Sequence, residues 1–111
     1  ANGCAYCQEH HLEAVLHFWK DETRGRALIQ DYTQLALDPT DRALCDYAWD
    51  VTVKPDQAAS TDPTERLRQV DMEDRAVLDA TLVVGYFNFV NRLVLALDVD
   101  VENDPGGYTY E

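Results

Sequence analysis

The chain has 111 residues, room for one domain, and its hydrophobic fraction of 46% is enough for a core. Its 21 acidic residues against 9 basic give a net charge of −12, which argues against nucleic acid or an anionic membrane as partner. Aspartate occurs 14 times while Lys20 and Lys54 are the only lysines, a surface that predicts adaptation to high salt, where self-repulsion is screened.

The spacing predicts a first helix from about Cys4 to Trp19, capped by Asn2 or Gly3. At about 100° per residue, Cys4, Cys7 and His11 fall within an arc of roughly 60°, with His10 pointing elsewhere. Val15 and Phe18 continue that face, while Glu9, Glu13 and His17 gather opposite. Both sulfurs thus lie in the first two turns, where unpaired backbone N–H groups favour a thiolate over a thiol. A nearby imidazole can then take or deliver a proton. Two cysteines separated by two residues also close a disulfide with little backbone movement. The natural chemistry is redox: one sulfur attacks and the other resolves. Three other readings compete. A buried cysteine serves as a small apolar residue. A structural zinc site lacks an obvious fourth ligand beyond Cys45, His17 or a carboxylate. An inert disulfide gains little from so short a loop.

A polar break, Lys20-Asp21-Glu22-Thr23, precedes an expected second helix from Arg24 to Leu37. Asp38-Pro39 then reads as N-cap and first helical residue of a third helix running to Thr52. Its apolar stripe holds Leu44, Cys45, Ala48 and Val51, so Cys45 is expected as a packing residue. Residues 53–61 read as a loop broken by Pro55, and Asp62-Pro63 as the start of a short fourth helix carrying Leu67 and Val70. Asp71 is expected to cap a fifth helix, apolar on every side from Ala80 to Leu97 except at Asn88, Asn91 and Arg92. That pattern predicts burial, partly against another subunit, with Arg92 paired to a carboxylate; the polar trio argues against a membrane span. Asp98 to Glu111, with Pro105-Gly106-Gly107, Tyr108 and Tyr110, reads as an irregular tail. No Gly-rich phosphate loop suggests a nucleotide or flavin cofactor. Three cysteines do not make a secreted disulfide scaffold, and no signal peptide precedes the motif, so the cytoplasm is the expected compartment.

The run Ala1-Asn2-Gly3-Cys4-Ala5-Tyr6-Cys7-Gln8-Glu9-His10-His11 resembles the C-x-x-C-x-x-x-H signature of the AhpD-like alkylhydroperoxidase family, within the carboxymuconolactone decarboxylase superfamily. It is most similar to the peroxidase-related branch. Ala43-Leu44-Cys45-Asp46-Tyr47-Ala48 and Tyr86-Phe87-Asn88-Phe89-Val90-Asn91-Arg92 support the likeness, which covers nearly the whole chain. The resemblance implies an all-α, AhpD-like helical domain over residues 1–97, followed by the tail 98–111. It also implies a homo-oligomeric thiol peroxidase acting on a small hydroperoxide and recharged by an external dithiol reductant, with no metal or cofactor. By the same resemblance Cys7 is oxidised to sulfenic acid, Cys4 resolves it and His11 belongs to a proton relay. The helix dipole alone favours Cys4 as the more acidic thiol, whereas the family's division of roles puts the attack on Cys7. The family relay also uses a glutamate about three turns upstream of the cysteines. Ala1 follows that position, so the resemblance implies a fragment lacking the N-terminal helices, or impaired activity. Two alternatives remain. One is a carboxymuconolactone decarboxylase-like enzyme, although that branch generally lacks the redox pair. The other is a non-enzymatic helical oligomer that responds to redox state or binds metal.

Overall fold

The computed structural model describes residues 1–101, and over these the protein is all-α: six α-helices, one 3-10 turn and no strand. Residues 102–111 of the expected tail, including both of its tyrosines, lie outside the described residues. The chain gathers into two compact units. One comprises Ala1–Asn2 and Leu37–Arg92, the other Gly3–Ala36 and residues 93–101.

The second of these units contains α1 (Ala5–Trp19), α2 (Glu22–Asp31) and a 3-10 turn (Tyr32–Gln34). Lys20 stops α1 in the left-handed conformation, φ 53°, its N–H bonded to Leu16 O at 2.8 Å. Asp21 follows at once as the cap of α2, its carboxylate accepting the Arg24 N–H at 2.9 Å. The polar break is therefore two residues rather than four. Gly25 lets α2 come close to α1: a Cβ there would stand 2.9 Å from Leu12 Cδ1 and 3.0 Å from Leu16 Cδ2. The side of α1 that meets α2 is thus the Leu12–Leu16 side, about 130° round from the cysteine face. Phe18, expected on a buried face, is instead 74% exposed, with the His17 ring edge-on to it at 5.0 Å. The second helix ends at Asp31, not Leu37. There the Asp31 carboxylate takes the Thr33 N–H at 3.0 Å and its hydroxyl at 2.6 Å, local bonds that compete with helix continuation.

In the other unit, α3 (Pro39–Val53) starts as the sequence predicts, with Asp38 Oδ1 accepting the N–H groups of Thr40 and Asp41, both at 2.9 Å. The expected loop contains a single turn, α4 (Pro55–Ala58), because Pro55 occupies a first helical position as readily as it breaks a helix. The Asp62-Pro63 pair does not cap α5 (Glu65–Arg68): Asp62 is left-handed, φ 45°, and its carboxylate receives the Thr64 hydroxyl at 2.7 Å. Nor does Asp71 cap the long helix α6 (Asp74–Ala96). It sits at φ 61° and closes α5, with Asp71 N–H on Arg68 O at 2.9 Å and Met72 N–H on Leu67 O at 3.2 Å. That is the double bond of a Schellman stop, with an aspartate tolerating the left-handed site that glycine usually fills.

Leu67, fully buried, forms the centre of this unit with Ala43, Tyr47 and Val77. Tyr47 carries a hydroxyl into this core, and its bonding can be assigned. Thr81 Oγ1 lies 2.7 Å from Val77 O, an acceptor only, so the threonine proton goes there. Tyr47 therefore donates to Thr81 Oγ1, 2.7 Å away. Further along α6 the polar trio is satisfied by side chains. Asn2 Nδ2 donates to Asn88 Oδ1 at 2.9 Å and to Asn91 Oδ1 at 2.7 Å, and Asn88 Nδ2 donates to Thr52 Oγ1 at 2.9 Å. Arg92, expected to pair with a carboxylate in a buried setting, is exposed and donates instead to Asn88 O at 2.8 Å and Asn88 Oδ1 at 3.1 Å. An exposed guanidinium keeps its hydration and does not require an ion pair. The other face of α6 is not buried: Leu78, Leu82, Val83, Tyr86 and Phe89 are each more than half exposed.

Candidate redox site

Gly3, at φ 65°, turns the chain into α1 through a conformation that side chains rarely adopt. Cys4 follows in extended conformation and is itself the N-cap, in place of the expected Asn2 or Gly3. Its carbonyl accepts the Gln8 N–H at 3.0 Å, and its Sγ accepts the Cys7 N–H at 3.3 Å. A sulfur is a weaker cap than the oxygen of Ser, Asp or Asn, which is why capping preference alone points one or two residues upstream. The position has a chemical consequence. Cys4 Sγ occupies the site at a helix start where unpaired N–H groups converge, and a negative charge is favoured there once the sulfur is reduced.

Cys4 and Cys7 are joined as a disulfide, with their Cα atoms 5.4 Å apart. Both residues are buried, Cys4 at 3% and Cys7 at 9% exposure. His11 stands one turn beyond Cys7, a spacing that puts Cβ atoms about 5–6 Å apart on one helix face. It is half-buried, and its pKa is lowered, first by desolvation and then by the neighbouring His10. The ring is therefore mostly neutral at pH 7. His10 turns to another side, its ring 4.3 Å from that of Tyr6.

Cys45 is separate from this pair. It is unpaired with any other cysteine and half-buried on α3. Burial, then the charges of Asp41 and Asp46, push its thiol pKa up, partly countered by Arg42. It is a protonated, unreactive thiol at neutral pH, in keeping with a packing role. Among the described residues, no three His, Cys, Asp or Glu side chains are gathered so as to hold a metal ion. The Cys4 capping role was missed from sequence; the signal for it is the Gly3-Cys4 step itself, a glycine able to turn the chain just before the first cysteine.

No family model and no curated protein matches this chain. The geometry of the Cys4–Cys7 pair on α1 is thus what a functional reading has to rest on.

Proposed function

We propose that the chain is a thiol-dependent hydroperoxidase of the AhpD-like kind, with Cys7, Cys4 and His11 as its reacting groups. The observation that carries this reading is the Cys4–Cys7 disulfide across the first turn of α1, with Cys4 at the cap. In the reduced protein the Cys7 thiolate attacks the outer oxygen of a hydroperoxide. The O–O bond breaks, Cys7 becomes a sulfenic acid, and the departing alkoxide or hydroxide takes a proton delivered through His11. The Cys4 thiolate then displaces hydroxide from the Cys7 sulfenic acid, forming the disulfide, and a proton completes the water. An external dithiol reverses the cycle. It attacks Cys7, the slightly more exposed residue of the pair, and Cys4 leaves as a thiolate held at the helix cap. The resemblance to the AhpD-like family supports the same division of roles. The surrounding acidity argues against an anionic reductant surface and favours a neutral or basic one.

Burial of both sulfurs favours a second reading, a redox-responsive helical module without turnover. One experiment separates the two. Peroxide consumption is followed with excess dithiol for the wild type, Cys7→Ser and Cys4→Ser. Continuous consumption by the wild type, none by Cys7→Ser and a trapped sulfenic acid or mixed disulfide in Cys4→Ser are expected. Oxidation that stops after one equivalent in the presence of dithiol selects the second reading, and rapid turnover in Cys7→Ser removes the first.

A further inference from the structure

Asn88 and Asn91 stand three residues apart on α6, so their side chains share one face of it. Both direct Oδ1 at a single amide. Asn2 Nδ2 donates to Asn88 Oδ1 at 2.9 Å and to Asn91 Oδ1 at 2.7 Å, which takes up both of its amide protons. Asn91 is 8% exposed, a setting in which a lost hydrogen-bond partner is costly. Asn88 is steadied from behind, its own Nδ2 donating to Thr52 Oγ1 at 2.9 Å. The two asparagines of α6 thus form a fork that grips Asn2.

The next residue, Gly3, has φ 65°, is exposed, and has nothing within 4 Å of where a Cβ would stand. Close packing does not set that turn, and a glycine on its own enters positive and negative φ about equally. The turn has to be imposed by what lies on either side of it. On one side is the gripped Asn2. On the other is Cys4, extended at φ −85° and ψ 97°, with its Sγ accepting the Cys7 N–H at 3.3 Å.

We infer that Asn2 is a positioning residue for the redox pair: held by Asn88 and Asn91, it fixes the turn at Gly3 and so keeps Cys4 at the helix cap, facing Cys7, while the disulfide is open. Neither bond of Asn2 involves a sulfur, so reduction takes nothing from the fork. The Cys4 sulfur then stays beside Cys7 instead of swinging out on a free arm. The step this serves is ring closure. Its place in a catalytic cycle rests on the hydroperoxidase reading, in which the Cys4 thiolate attacks the sulfur of the Cys7 sulfenic acid. The S–S bond forms, the S–O bond breaks, and the departing hydroxide takes a proton to become water. Attack of Cys7 on the peroxide comes earlier and does not use the Cys4 sulfur, so Asn2 acts on the second step alone. Releasing the arm frees about one backbone residue, which corresponds to closure slowed about tenfold.

The test is rapid mixing of the reduced full chain with an aromatic disulfide, dithiobis(nitrobenzoate), and separately with hydrogen peroxide. With the aromatic disulfide, the first thiol of the pair to react forms a mixed disulfide and releases one aromatic thiolate. The second thiol then displaces another as Cys4 and Cys7 join, and peptide masses locate the bridge. In Asn2→Ala the first release is expected at the wild-type rate and the second about tenfold more slowly. With peroxide, Asn2→Ala accumulates a Cys7 sulfenic acid that dimedone traps. Gly3→Ala is expected to slow closure as well, because alanine resists φ 65° although its methyl meets no neighbour and α6 keeps all its bonds. Thr52→Val loosens the same network behind Asn88 without touching the bonds of Asn2, and is expected to close at the wild-type rate. Closure at the wild-type rate in Asn2→Ala and Gly3→Ala overturns the inference. So does equal slowing in Thr52→Val, since the effect is then a general loosening of the fold. A wild type that closes with the aromatic disulfide but ignores peroxide removes the hydroperoxidase reading alone, and slower closure in Asn2→Ala still supports the positioning role.

Discussion

Reducing the Cys4–Cys7 disulfide should destabilise the fold only modestly, and the magnitude follows from chain position. The bridge closes a loop from residue 4 to residue 7. Chain-entropy cost for so small a loop is about 2 kcal/mol, against about 4.7 kcal/mol for a hundred-residue loop. By linkage, the fold holds the disulfide against reduction by the same amount, about 40 mV, which leaves it within reach of an ordinary dithiol. Reduction breaks only the S–S bond, so the Cys4 Sγ that accepts the Cys7 N–H in the bridged form is expected to remain as the helix cap. Cys4→Ser therefore keeps a capping atom and should match the reduced wild type. Cys4→Ala loses the cap as well and should lie about 1 kcal/mol lower. The assay is thermal unfolding followed at a helical wavelength, for oxidised and reduced wild type and both variants. A fall of roughly 8–12 °C on reduction is expected for a domain of this size. A loss twice as large would mark the bridge as a structural staple and refute the reasoning, as would equal midpoints for Cys4→Ser and Cys4→Ala.

Three further outcomes follow. Because burial lowers the His11 pKa below the ordinary histidine value, the ring is mostly neutral at pH 6.5, and the peroxidase rate should fall only at pH values below that. The unfolded chain, with an ordinary histidine, binds the proton first, so stability likewise decreases as pH drops below about 6.5. A His11→Gln variant, measured by rate and by melting, should lose both dependences. Tyr47→Phe removes a hydroxyl donated to Thr81 inside the core and should cost about 1–2 kcal/mol by urea unfolding. A double variant with Thr81→Val whose loss equals the sum of the two single losses, with no coupling between them, argues against that bond. Molar potassium chloride should raise the melting midpoint of the wild type by screening its carboxylates, and an unchanged midpoint removes the idea of salt adaptation.

The helix starts written into short stretches were legible. Asp38-Pro39 acts through N–H groups two and three residues away, and nothing distant alters that. The other aspartates show where local signals divide. Asp62 and Asp71 look like the same start signal, yet both adopt the left-handed conformation. Asp31 ends a helix that the apolar spacing would have carried to Leu37. The residue type suits caps, turns and left-handed stops alike, so spacing alone does not choose among them. Part of the aspartate abundance is thus structural as well as a matter of surface charge. Phe18 and α6 were illegible for another reason. Which side of a helix is covered depends on its neighbours, as with Gly25 against Leu12 and Leu16, and a helix apolar on every side names no preferred face. Asn2 was illegible because its partners Asn88 and Asn91 are 86 and 89 residues away. Of the candidate site, the cysteine pair and the histidine register were visible in the first eleven residues; the sulfur cap was not, because sulfur is an uncommon cap.

The most direct measurement is the second-order rate constant of the dithiol-reduced protein with hydrogen peroxide, with the product analysed by intact mass. The proposed chemistry predicts one disulfide between Cys4 and Cys7 per peroxide consumed, at a rate far above that of free cysteine. A rate no faster than free cysteine, or oxidation appearing on Cys45 while Cys4 and Cys7 stay reduced, would contradict it.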